Sequence, residues 1–469
     1  MEPTTIAAIA TPAGKGGIGI IKISGPAARQ RVAEIFCPGP YEKRKKPVPV
    51  NDPTFFSPWK IYYGHIADPD QCRVYDEVIV AIMPAPKSYT REDVVEIQAH
   101  GGDVILESIL SLLFRKGICA AQPGEFTRRA FVNGRIDLSQ AEAVIDLINA
   151  RCEAAVNIAF DQAAGSLSAS IEALRSRITG ILATIDAMVD FPEAVEADID
   201  ATRLSEEIAR DLLGPVSALV SAYEENKTLR EGVRVVIAGA PNVGKSSIMN
   251  RLAGSDRAIV TEHPGTTRDY IETVLPSGGI PITLVDTAGL RMDPDPVEKI
   301  GIEKAHSHIQ NSDIVLHVLD ASAPVPHDEL AFFEGIRSKT LFIVANKMDL
   351  ANGAAPALPG AMPKASVVET SAKYNRGMEL LKSRIVETAK SLLSRVPERP
   401  VPNYRHKALL LDAQESLEQA MANLDQDNGS SELVSIDLRQ AYDRLGEITG
   451  STAPPDVLDD IFSRYCIGK

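Results

Sequence analysis

A phosphate-binding pattern at residues 239–246 constrains this chain more than any other feature of its sequence. The segment reads Gly-Ala-Pro-Asn-Val-Gly-Lys-Ser, which fits G-x-x-x-x-G-K-[ST], and it directly follows the apolar run Val233–Ala238. Glycines let such a loop wrap a phosphate with backbone N–H groups, Lys245 can reach the β and γ oxygens, and Ser246 can ligate Mg²⁺. The pattern therefore predicts a strand, a phosphate-binding loop and a helix, in that order.

Apolar runs alternate with helical patterns from Val233 onward. The predicted strands are residues 233–238, 282–285, 314–319, 341–345 and 366–368. Parallel strands need long crossover connections, usually helices, so this alternation predicts a parallel sheet covered on both faces. The region is therefore expected to be an α/β domain of the P-loop, Ras-like type.

Two further motifs lie where phosphates and a metal ion would be held. Asp286-Thr287-Ala288-Gly289 ends the run 282–285, so its carboxylate can hold Mg²⁺ through water and Gly289 can offer its N–H to a γ-phosphate. Thr266-Thr267 lies between this motif and the phosphate loop, where a switch threonine closes on Mg²⁺ and the γ-phosphate. The order of these motifs predicts a nucleoside-triphosphate site.

The base is specified by Asn346-Lys347-Met348-Asp349, which follows the run 341–345. A carboxylate at Asp349 can accept hydrogen bonds from N1–H and the 2-amino group of guanine. Adenine offers neither donor there, so a buried Asp349 would be left unpaired by the wrong base. Ser371-Ala372-Lys373 then supplies a loop whose backbone can meet guanine O6. The ordered set predicts GTP binding.

The residue that orients water in Ras-like GTPases is missing. A glutamine is expected after D-T-A-G, but the chain has Leu290-Arg291, and leucine can neither orient nor deprotonate water. Asn242, inside the phosphate loop, has a side-chain carbonyl suited to a monovalent cation where an arginine finger usually acts. Among carboxylates just beyond the switch, the residues alone leave three candidates for orienting water: Asp293, Asp295 and Glu298.

The rest of the chain shows two other patterns. Residues 1–120 alternate short β-branched runs, at 18–23, 78–82 and 94–98, with turn residues, which predicts an α+β domain. A helical stripe then runs from Leu167 to Met188, and Phe191-Pro192 should stop or kink that helix. Helical periodicity returns at residues 409–424 and 432–448. The α/β domain is thus inserted between two helical halves, which either pack as one bundle or stay separate.

Composition excludes several classes of protein. With 49 Lys and Arg against 63 Asp and Glu, the net charge of −14 argues against a protein that coats nucleic acid non-specifically. No apolar stretch is long enough to cross a bilayer, and the N-terminus has no basic n-region, so we expect a soluble, cytoplasmic protein with no membrane partner. Five scattered cysteines form no CxxC pair, which favours reduced thiols over a disulfide framework or zinc site.

These motifs resemble the MnmE (TrmE) family of tRNA-modification GTPases, and the resemblance extends over the whole chain. Beside the nucleotide motifs, it rests on P-G-T-T-R-D at residues 264–269, D-T-A-G-L-R at 286–291 and the terminal Y-C-I-G-K at 465–469. Further matching segments are residues 11–20, 88–96, 100–102, 123–131 and 138–143. The combination of an inserted G domain with a C-I-G-K terminus is specific to this family.

The resemblance implies a four-segment organisation. Residues 1–120 would form a tetrahydrofolate-binding and dimerisation domain, 121–231 the first half of a helical bundle domain, 232–385 the G domain, and 386–469 the second helical half with the C-I-G-K motif. It also implies a homodimer that works with an FAD-dependent GidA-type (MnmG) subunit in a hetero-oligomer. Together they would add an aminomethyl or carboxymethylaminomethyl group to C5 of the wobble uridine of certain tRNAs.

The resemblance also implies cofactors and roles for residues. The cofactors are GTP, Mg²⁺, K⁺ and a 5-formyl- or 5,10-methylene-tetrahydrofolate. Ser246 and Thr267 align with the Mg²⁺ ligands, and the K⁺ ligands would be Asn242, Thr261, His263 and Thr266. Glu298 aligns with the family's water-orienting glutamate and would act with Lys245 in catalysis. The folate site would use Lys22, Glu96, Arg135 and Lys469. The expected GTP-binding residues are Asn242, Val243, Gly244, Lys245, Ser246, Ser247, Thr261, Thr266, Thr267, Asp286, Thr287, Ala288, Gly289, Asn346, Lys347, Asp349, Ser371 and Ala372.

Two alternatives stay open at this point. Cys466, three residues before the end, is either a nucleophile or a structural, folate-adjacent residue, and no histidine nearby in sequence would activate it. The rival function is a ribosome-assembly GTPase switch without modification chemistry. Such proteins usually carry an RNA-binding module, and no basic G-x-x-G segment of the KH type is present in the sequence.

Overall fold

The computed structural model describes residues 4–42, 46–150, 152–190, 201–254, 272–275, 281–286, 309, 312–324, 340–351, 367–393, 399–424 and 431–468. The chain divides into two compact units. The first unit comprises Met1–Ile145, Gln162–Ser217 and Arg405–Lys469, and the second comprises Asp146–Asp161 and Ala218–Tyr404.

The first unit contains a seven-stranded sheet. Its strands are β1 (Ile6–Ile9), β2 (Gly16–Ser24), β3 (Phe36–Pro38), β4 (Ile61–Asp68), β5 (Arg73–Met83), β6 (Val94–Gly101) and β7 (Cys119–Ala120). They lie in the order β3-β4-β5-β6-β2-β1-β7, and every pair is antiparallel except β1 with β7. The strand predictions at 18–23, 78–82 and 94–98 are confirmed by β2, β5 and β6.

Helices account for much of the remaining chain. A 3₁₀ turn lies at Pro53–Phe55 and a π-helical segment at Ala209–Leu213. The α-helices are α1 (Ala28–Ala33), α2 (Asp103–Arg115), α3 (Glu125–Val132), α4 (Leu138–Asn149), α5 (Glu153–Ala163), α6 (Ser166–Asp190), α7 (Ala201–Ile208), α8 (Gly214–Glu231), α9 (Lys245–Ala253), α10 (Met378–Leu393), α11 (Tyr404–Leu424), α12 (Ser431–Thr449) and α13 (Pro455–Ser463).

One face of the seven-stranded sheet packs against α1 and α2. Successive side chains of a strand point to opposite faces, so Ile21 and Ile23 of β2 enter this core while Lys22 lies on the other face. The same alternation buries Val95 and Ile97 of β6 against the two helices. Two helices on one face of a mainly antiparallel sheet confirm the predicted α+β class.

The predicted apolar stripe lies on α6. Its members Leu167, Ile171, Leu174, Ile178, Ile181 and Ile185 are all buried. α6 packs against α12, where the guanidinium carbon of Arg175 lies 4.1 Å from the centre of the Tyr442 ring. Helices from the two ends of the chain therefore pack together, as the bundle hypothesis predicts. The side chain of Met188 and the expected stop at Phe191-Pro192 lie outside the described residues.

Three charged or titratable side chains, Glu142, Arg405 and His406, form an ionic cluster between α4 and the start of α11, in which His406 is buried and the other two are half-buried. The Glu142 carboxylate accepts from Arg405 at 2.6 and 2.9 Å and contacts His406 Nε2 at 2.7 Å. Arg405 also donates to the carbonyl oxygens of Glu447 and Ile448 at the end of α12. Burial opposes ionisation of Glu142, but His406 and Arg405 outweigh it and hold the pKa of this carboxyl well below its ordinary value.

The C-terminal segment packs onto the same part of the first unit. Phe462 and Tyr465 are buried with Leu138 and Ala141 in one apolar cluster, and the Tyr465 hydroxyl donates to the Ala141 carbonyl oxygen. Gly468 has a φ of +94°, and a Cβ there would lie 2.5 Å from the Ile9 carbonyl oxygen. The chain terminus therefore approaches the end of β1 at a distance that only glycine permits.

The second unit contains a six-stranded sheet. Its strands are β8 (Val233–Ala238), β9 (Glu272–Leu275), β10 (Ile282–Asp286), β11 (Ile314–Asp320), β12 (Thr340–Asn346) and β13 (Val367–Glu369), in the order β13-β12-β11-β8-β10-β9. Buried side chains of the sheet pack with α9 and α10 on one face, and Ile309 packs with Val236 and Val315 on the other. The five predicted strands are confirmed to within one or two residues.

One strand departs from the predicted parallel sheet. β9 pairs antiparallel with β10, whereas the other neighbours are parallel. Only six residues separate Leu275 from Ile282, which is too short for a crossover connection, so the two strands must form a hairpin. Among the described residues, no helix combines the length and apolar character that crossing a membrane requires.

Candidate functional site

The phosphate loop follows β8 and depends on glycine at two positions. Gly239 and Gly244 have φ angles of +139° and +100°. A Cβ on Gly239 would lie 2.3 Å from the Val318 carbonyl oxygen, and one on Gly244 would lie 2.3 Å from Asn346 Nδ2. Both the backbone conformation and the available space therefore exclude a side chain at these positions.

Lys245 begins α9 and reaches back over the loop. Its buried Nζ donates to the carbonyl oxygens of Gly239 and Ala240, both at 2.8 Å. Ser246 and Ser247 follow in the first turn of α9 and are exposed. The loop thus gathers an ammonium group, hydroxyls and the N-terminus of a helix, which together suit an anionic phosphate.

Asn346, at the end of β12, joins the phosphate side of the site to the base side. Its Nδ2 donates to the Val243 carbonyl oxygen at 2.9 Å, and its Oδ1 accepts from the Ala372 N–H at 3.1 Å. Ser371 in turn donates from its hydroxyl to Asp349 Oδ1 at 2.6 Å. The structure therefore brings together residues from three separate motifs of the sequence.

These residues line a cavity of about 930 Å³, the nucleotide cleft, whose walls include Gly244, Ser247, Asn346, Lys347, Asp349 and Ala372. Asp349 is exposed to the cleft. Discrimination against adenine by leaving a buried carboxylate unpaired requires a buried Asp349, and in the open cleft this side chain is not buried. One Asp349 oxygen is held by Ser371, and the other has no partner among the described residues, so it can accept from a base.

Two residues, Asp320 beside the cleft and Arg251 in its wall, were not predicted from the sequence. Asp320, at the end of β11, accepts from Lys347 Nζ at 2.7 Å. Burial opposes its ionisation, but hydrogen bonds from Lys347 and Ser322 outweigh it and lower the pKa of Asp320. The signal was available, because ligands meet the carboxyl ends of strands in such sheets. Arg251, in the last turn of α9, donates to the Ala372 carbonyl oxygen at 3.0 Å and belongs to none of the sequence motifs.

A second group of residues, the charged aromatic cluster, lies on the face of the seven-stranded sheet that turns away from α1 and α2. It comprises Lys22, Tyr89, Glu96, Phe126 and Arg135. Lys22 on β2 stands directly opposite Glu96 on β6. Lys22 Nζ lies 5.4 Å from the centre of the Tyr89 ring and 5.5 Å from that of Phe126.

Arg135 completes the charged aromatic cluster beside Tyr89. Its guanidinium carbon lies 4.7 Å from the ring centre, and its Nη1 donates to the Tyr89 carbonyl oxygen at 3.2 Å. The Tyr89 hydroxyl meets Thr127 Oγ1 at 2.9 Å. Burial raises the pKa of Tyr89 above its ordinary value although Thr127 and Arg135 oppose it, so the phenol stays neutral.

Comparison with known proteins bears on both groups. Residues 138–466 match the model of the MnmE helical domain, and residues 5–135 match that of the GTP-binding protein TrmE N-terminus. The chain is 42% identical to the tRNA modification GTPases MnmE of Carboxydothermus hydrogenoformans and Geobacillus kaustophilus, each covered over 100% of both chains. It is equally identical to that of Acetivibrio thermocellus over 99% of both. The chain belongs to the MnmE family of tRNA modification GTPases.

Among solved structures, the G domain of the Thermotoga maritima FeoB iron transporter is similar to 34% of this chain. It is covered over 98% of its own length, with 28% identity and a TM-score of 0.26.

In this MnmE-family chain, part of the expected site lies outside the described residues. This applies to the expected K⁺ and Mg²⁺ ligands of the switch segment, the D-T-A-G motif after Asp286, the candidate water-orienting carboxylates and the terminal lysine. These residues are Thr261, His263, Thr266, Thr267, Thr287, Ala288, Gly289, Asp293, Asp295, Glu298 and Lys469. The backbone of Asp286 ends β10, and its side chain is also outside.

The described part of the MnmE-family site suits the expected metal ions in its chemistry. Asn242 has a φ of +65° and is exposed in the phosphate loop, so its amide oxygen is accessible to a monovalent cation. The Ser246 hydroxyl stands one residue after Lys245, where an oxygen ligand for Mg²⁺ is needed. Cys466 is exposed, two residues before the glycine that meets the end of β1.

Proposed function

We propose that this chain is a potassium-dependent GTPase that works with an FAD-dependent GidA-type (MnmG) subunit in the cytoplasm. The pair adds an aminomethyl or carboxymethylaminomethyl group to C5 of the wobble uridine of certain tRNAs, with a tetrahydrofolate one-carbon unit as the carbon source. The observation that carries the proposal is that one MnmE-family chain holds both a nucleotide cleft and a separate charged aromatic cluster. The four segments 1–120, 121–231, 232–385 and 386–469 are its proposed domains.

In the nucleotide cleft, the base is recognised by the free oxygen of Asp349 and the phosphates by the loop. Lys245 is already desolvated and bonded to two carbonyl oxygens of its own loop, so an incoming β,γ-phosphate offers it a stronger, charged acceptor. Lys347 is held by Asp320 beside the cleft, where its stem can cover the base. Bound Mg²⁺ and K⁺ would supply positive charge against the charge that develops on the β–γ bridge.

Hydrolysis needs a water placed in line with the bond from the γ-phosphorus to the bridging oxygen. We assign that placement to Glu298, which aligns with the water-orienting glutamate of the family, since leucine stands where a glutamine would otherwise act. Ser246 and Thr267 would hold Mg²⁺, and Asn242 with Thr261, His263 and Thr266 would hold K⁺. Glu298→Ala should leave GTP affinity nearly unchanged and lower turnover. Replacing K⁺ with Na⁺ should slow hydrolysis, and equal rates in the two salts would contradict the role of Asn242.

In the charged aromatic cluster, the folate is bound by groups of complementary charge. Glu96 can accept from the donor edge of a pterin, and Lys22, Arg135 and Lys469 can bind the carboxylates of the glutamate tail. Tyr89 supports this assignment, since its ring centre lies 5.4 Å from Lys22 Nζ and 4.7 Å from the guanidinium carbon of Arg135, and so holds the two cations close together. Cys466 stays either a nucleophile or a structural residue, and full modification by Cys466→Ser would leave it structural.

The outer face of β4 and β5 supports a homodimer. Ile61, Tyr63 and Ile79 share this face and are 72%, 53% and 40% exposed, although all three are large and apolar. A contiguous apolar patch of this kind is typical of a protein interface. A second copy of the chain is the proposed occupant, and light scattering of the purified protein tests it.

The decisive experiment is nucleoside mass spectrometry of tRNA from cells that lack this protein. Loss of the C5-substituted wobble uridine, with recovery only on complementation by the wild-type gene, is the expected result. An unchanged nucleoside profile would overturn the modification role and favour the ribosome-assembly switch. Binding of 5-formyltetrahydrofolate separates the same two functions in vitro, because the switch has no use for a folate.

A further inference from the structure

Arg251 lies in the last turn of α9, six residues after the phosphate-binding Lys245. Its side chain leaves its own helix and reaches the loop on the base side of the nucleotide cleft. Nε donates to the Ala372 carbonyl oxygen at 3.0 Å, and Nη2 donates to the Lys373 carbonyl oxygen at 3.4 Å. One guanidinium therefore holds two successive carbonyl groups of the loop that follows β13.

The Ala372–Lys373 peptide is fixed by this contact. A trans peptide points its C=O and N–H in opposite directions, so holding the Ala372 carbonyl also sets the direction of the Lys373 N–H. The preceding peptide is held by the bond from the Ala372 N–H to Asn346 Oδ1. Within the described part of the chain, the Lys373 N–H has no hydrogen-bond acceptor, and Lys373 lines the cleft. An oriented, available donor thus stands at the base side of the cleft.

A simpler reading of Arg251 is a cation that offsets the negative end of the α9 dipole. That role would leave the side chain in solvent near the carbonyl groups of its own last turn. Its donors go instead to residues 121 and 122 positions away in sequence, and Arg251 itself lines the cleft. The contacts therefore point to the base loop rather than to the helix end.

We propose that Arg251 is a positioning residue for recognition of the oxygen at position 6 of guanine. It orients the Ala372–Lys373 peptide so that the Lys373 N–H donates to that oxygen. Adenine carries an amino group at position 6 and would set donor against donor. This inference rests on the proposed binding of guanine nucleotides, and it adds a residue from the phosphate-side helix to the base side of the cleft.

The test is competition against fluorescent GDP on the full-length chain, with three unlabelled diphosphates. GDP has both the oxygen at position 6 and the 2-amino group. IDP keeps the oxygen and lacks the amino group, whereas 2,6-diaminopurine riboside diphosphate keeps the amino group and lacks the oxygen. The variants are Arg251→Ala, Arg251→Lys, Asp349→Ala and, as a charge-matched control, Lys390→Ala at an exposed position on α10.

Arg251→Ala should lower the affinities for GDP and IDP by the same factor, roughly three- to tenfold, and should change the affinity for the diaminopurine nucleotide by less than about twofold. Arg251→Lys should recover part of the loss, since an ammonium can still donate to one carbonyl. Asp349→Ala should instead bring the affinities for GDP and IDP together. Lys390→Ala should match wild type.

Two outcomes would overturn the role of Arg251. If Arg251→Ala weakened all three diphosphates equally, its role would be general folding of the cleft. If it left GDP binding unchanged, it would have no role in base recognition. A wild-type chain that binds no GDP would overturn the proposed function itself, so the two failures are distinguishable.

Discussion

The nucleotide cleft and the charged aromatic cluster are built by different means. The phosphate side of the cleft comes from consecutive residues, because the backbone of the loop, with glycines at positive φ such as Gly239 and Gly244, shapes it. The charged aromatic cluster comes from side chains that stand far apart in sequence, such as Lys22, Tyr89 and Arg135, and meet through strand register. A site built from backbone groups can therefore be recognised in the sequence as a motif, whereas a site built from distant side chains depends on the folding of its whole unit.

The largest expected effect separates the two units by stability. In the first unit, Glu142→Gln removes the carboxylate of the ionic cluster, so the buried His406 and the half-buried Arg405 lose their anionic partner. Removal of one member of a buried ion pair costs about 3–5 kcal/mol, which corresponds to roughly 5–10 °C in melting temperature for a unit of this size. Thermal melting followed by circular dichroism measures this loss of stability, and GDP affinity at 20 °C shows whether the nucleotide cleft of the second unit is affected.

The same substitution makes a prediction about pH. The pKa of Glu142 is lower in the folded chain than its ordinary value of 4.5. The carboxylate therefore contributes stability that is fully present above pH 4.5 and is lost as pH falls toward the lowered pKa. Wild type should lose melting temperature below about pH 4.5 more steeply than Glu142→Gln. Equal slopes would contradict the lowered pKa of Glu142, whereas loss of GDP binding together with the first unit would contradict the independence of the two units.

The next effect tests the backbone character of the nucleotide cleft. Gly244→Ala places a Cβ 2.3 Å from Asn346 Nδ2 at a φ of +100°, so both strain and displacement of Asn346 are expected. GDP affinity should fall by roughly a hundredfold or more, with folate binding unchanged. Gly254→Ala is the matched control, because Gly254 also has positive φ but has no atom within 4 Å of its Cβ. Similar losses in both variants would attribute the effect to strain alone.

Part of the second unit could be predicted from the sequence, and the rest could not, because it depends on contacts between distant residues. The strand β8 was predicted to the residue, since five of its six positions are apolar and the phosphate loop follows it directly. The antiparallel β9 was not predicted, because the sheet prediction rested on alternation and β9 breaks it with a hairpin. The position of Asp320 at the end of a predicted strand was a usable signal, but its contact with Lys347, 27 residues away, and that of Arg251 with Ala372, 121 residues away, have no local pattern.

The arrangement of the charged aromatic cluster could likewise not be predicted from the sequence. Resemblance to a family could name Lys22, Glu96 and Arg135, but not their arrangement. That Lys22 stands opposite Glu96 follows from the pairing of β2 with β6, which skips three intervening strands in sequence. Tyr89 was not predicted as part of the cluster, because an aromatic residue in a loop has no pattern of its own, and its proximity to two cations is visible only in the fold.

A smaller effect tests the side-chain character of the charged aromatic cluster. Arg135→Ala should weaken 5-formyltetrahydrofolate binding by roughly tenfold, because a charge-assisted contact and the stack on Tyr89 are both lost. Arg135→Lys keeps the charge without the planar fork and should lose about threefold. Titration calorimetry on the full-length chain measures both. Arg128, whose exposed cation pairs with Asp459, supplies the control, and Arg128→Ala should bind folate like wild type. All three variants should bind GDP with wild-type affinity.

The smallest effect concerns an ion pair beside the nucleotide cleft, that of Asp320 with Lys347. Asp320→Asn removes the charge that holds Lys347, and the pair is 21% and 32% exposed, so water replaces much of its attraction. GDP affinity should fall only about two- to fourfold, and more at low than at high salt, as expected for a partly screened pair. Ser322→Ala is the control, since it removes a second hydrogen bond to the same carboxylate and leaves Lys347 in place. A loss as large as that of Gly244→Ala would mean that this ion pair, and not the backbone, determines affinity in the cleft.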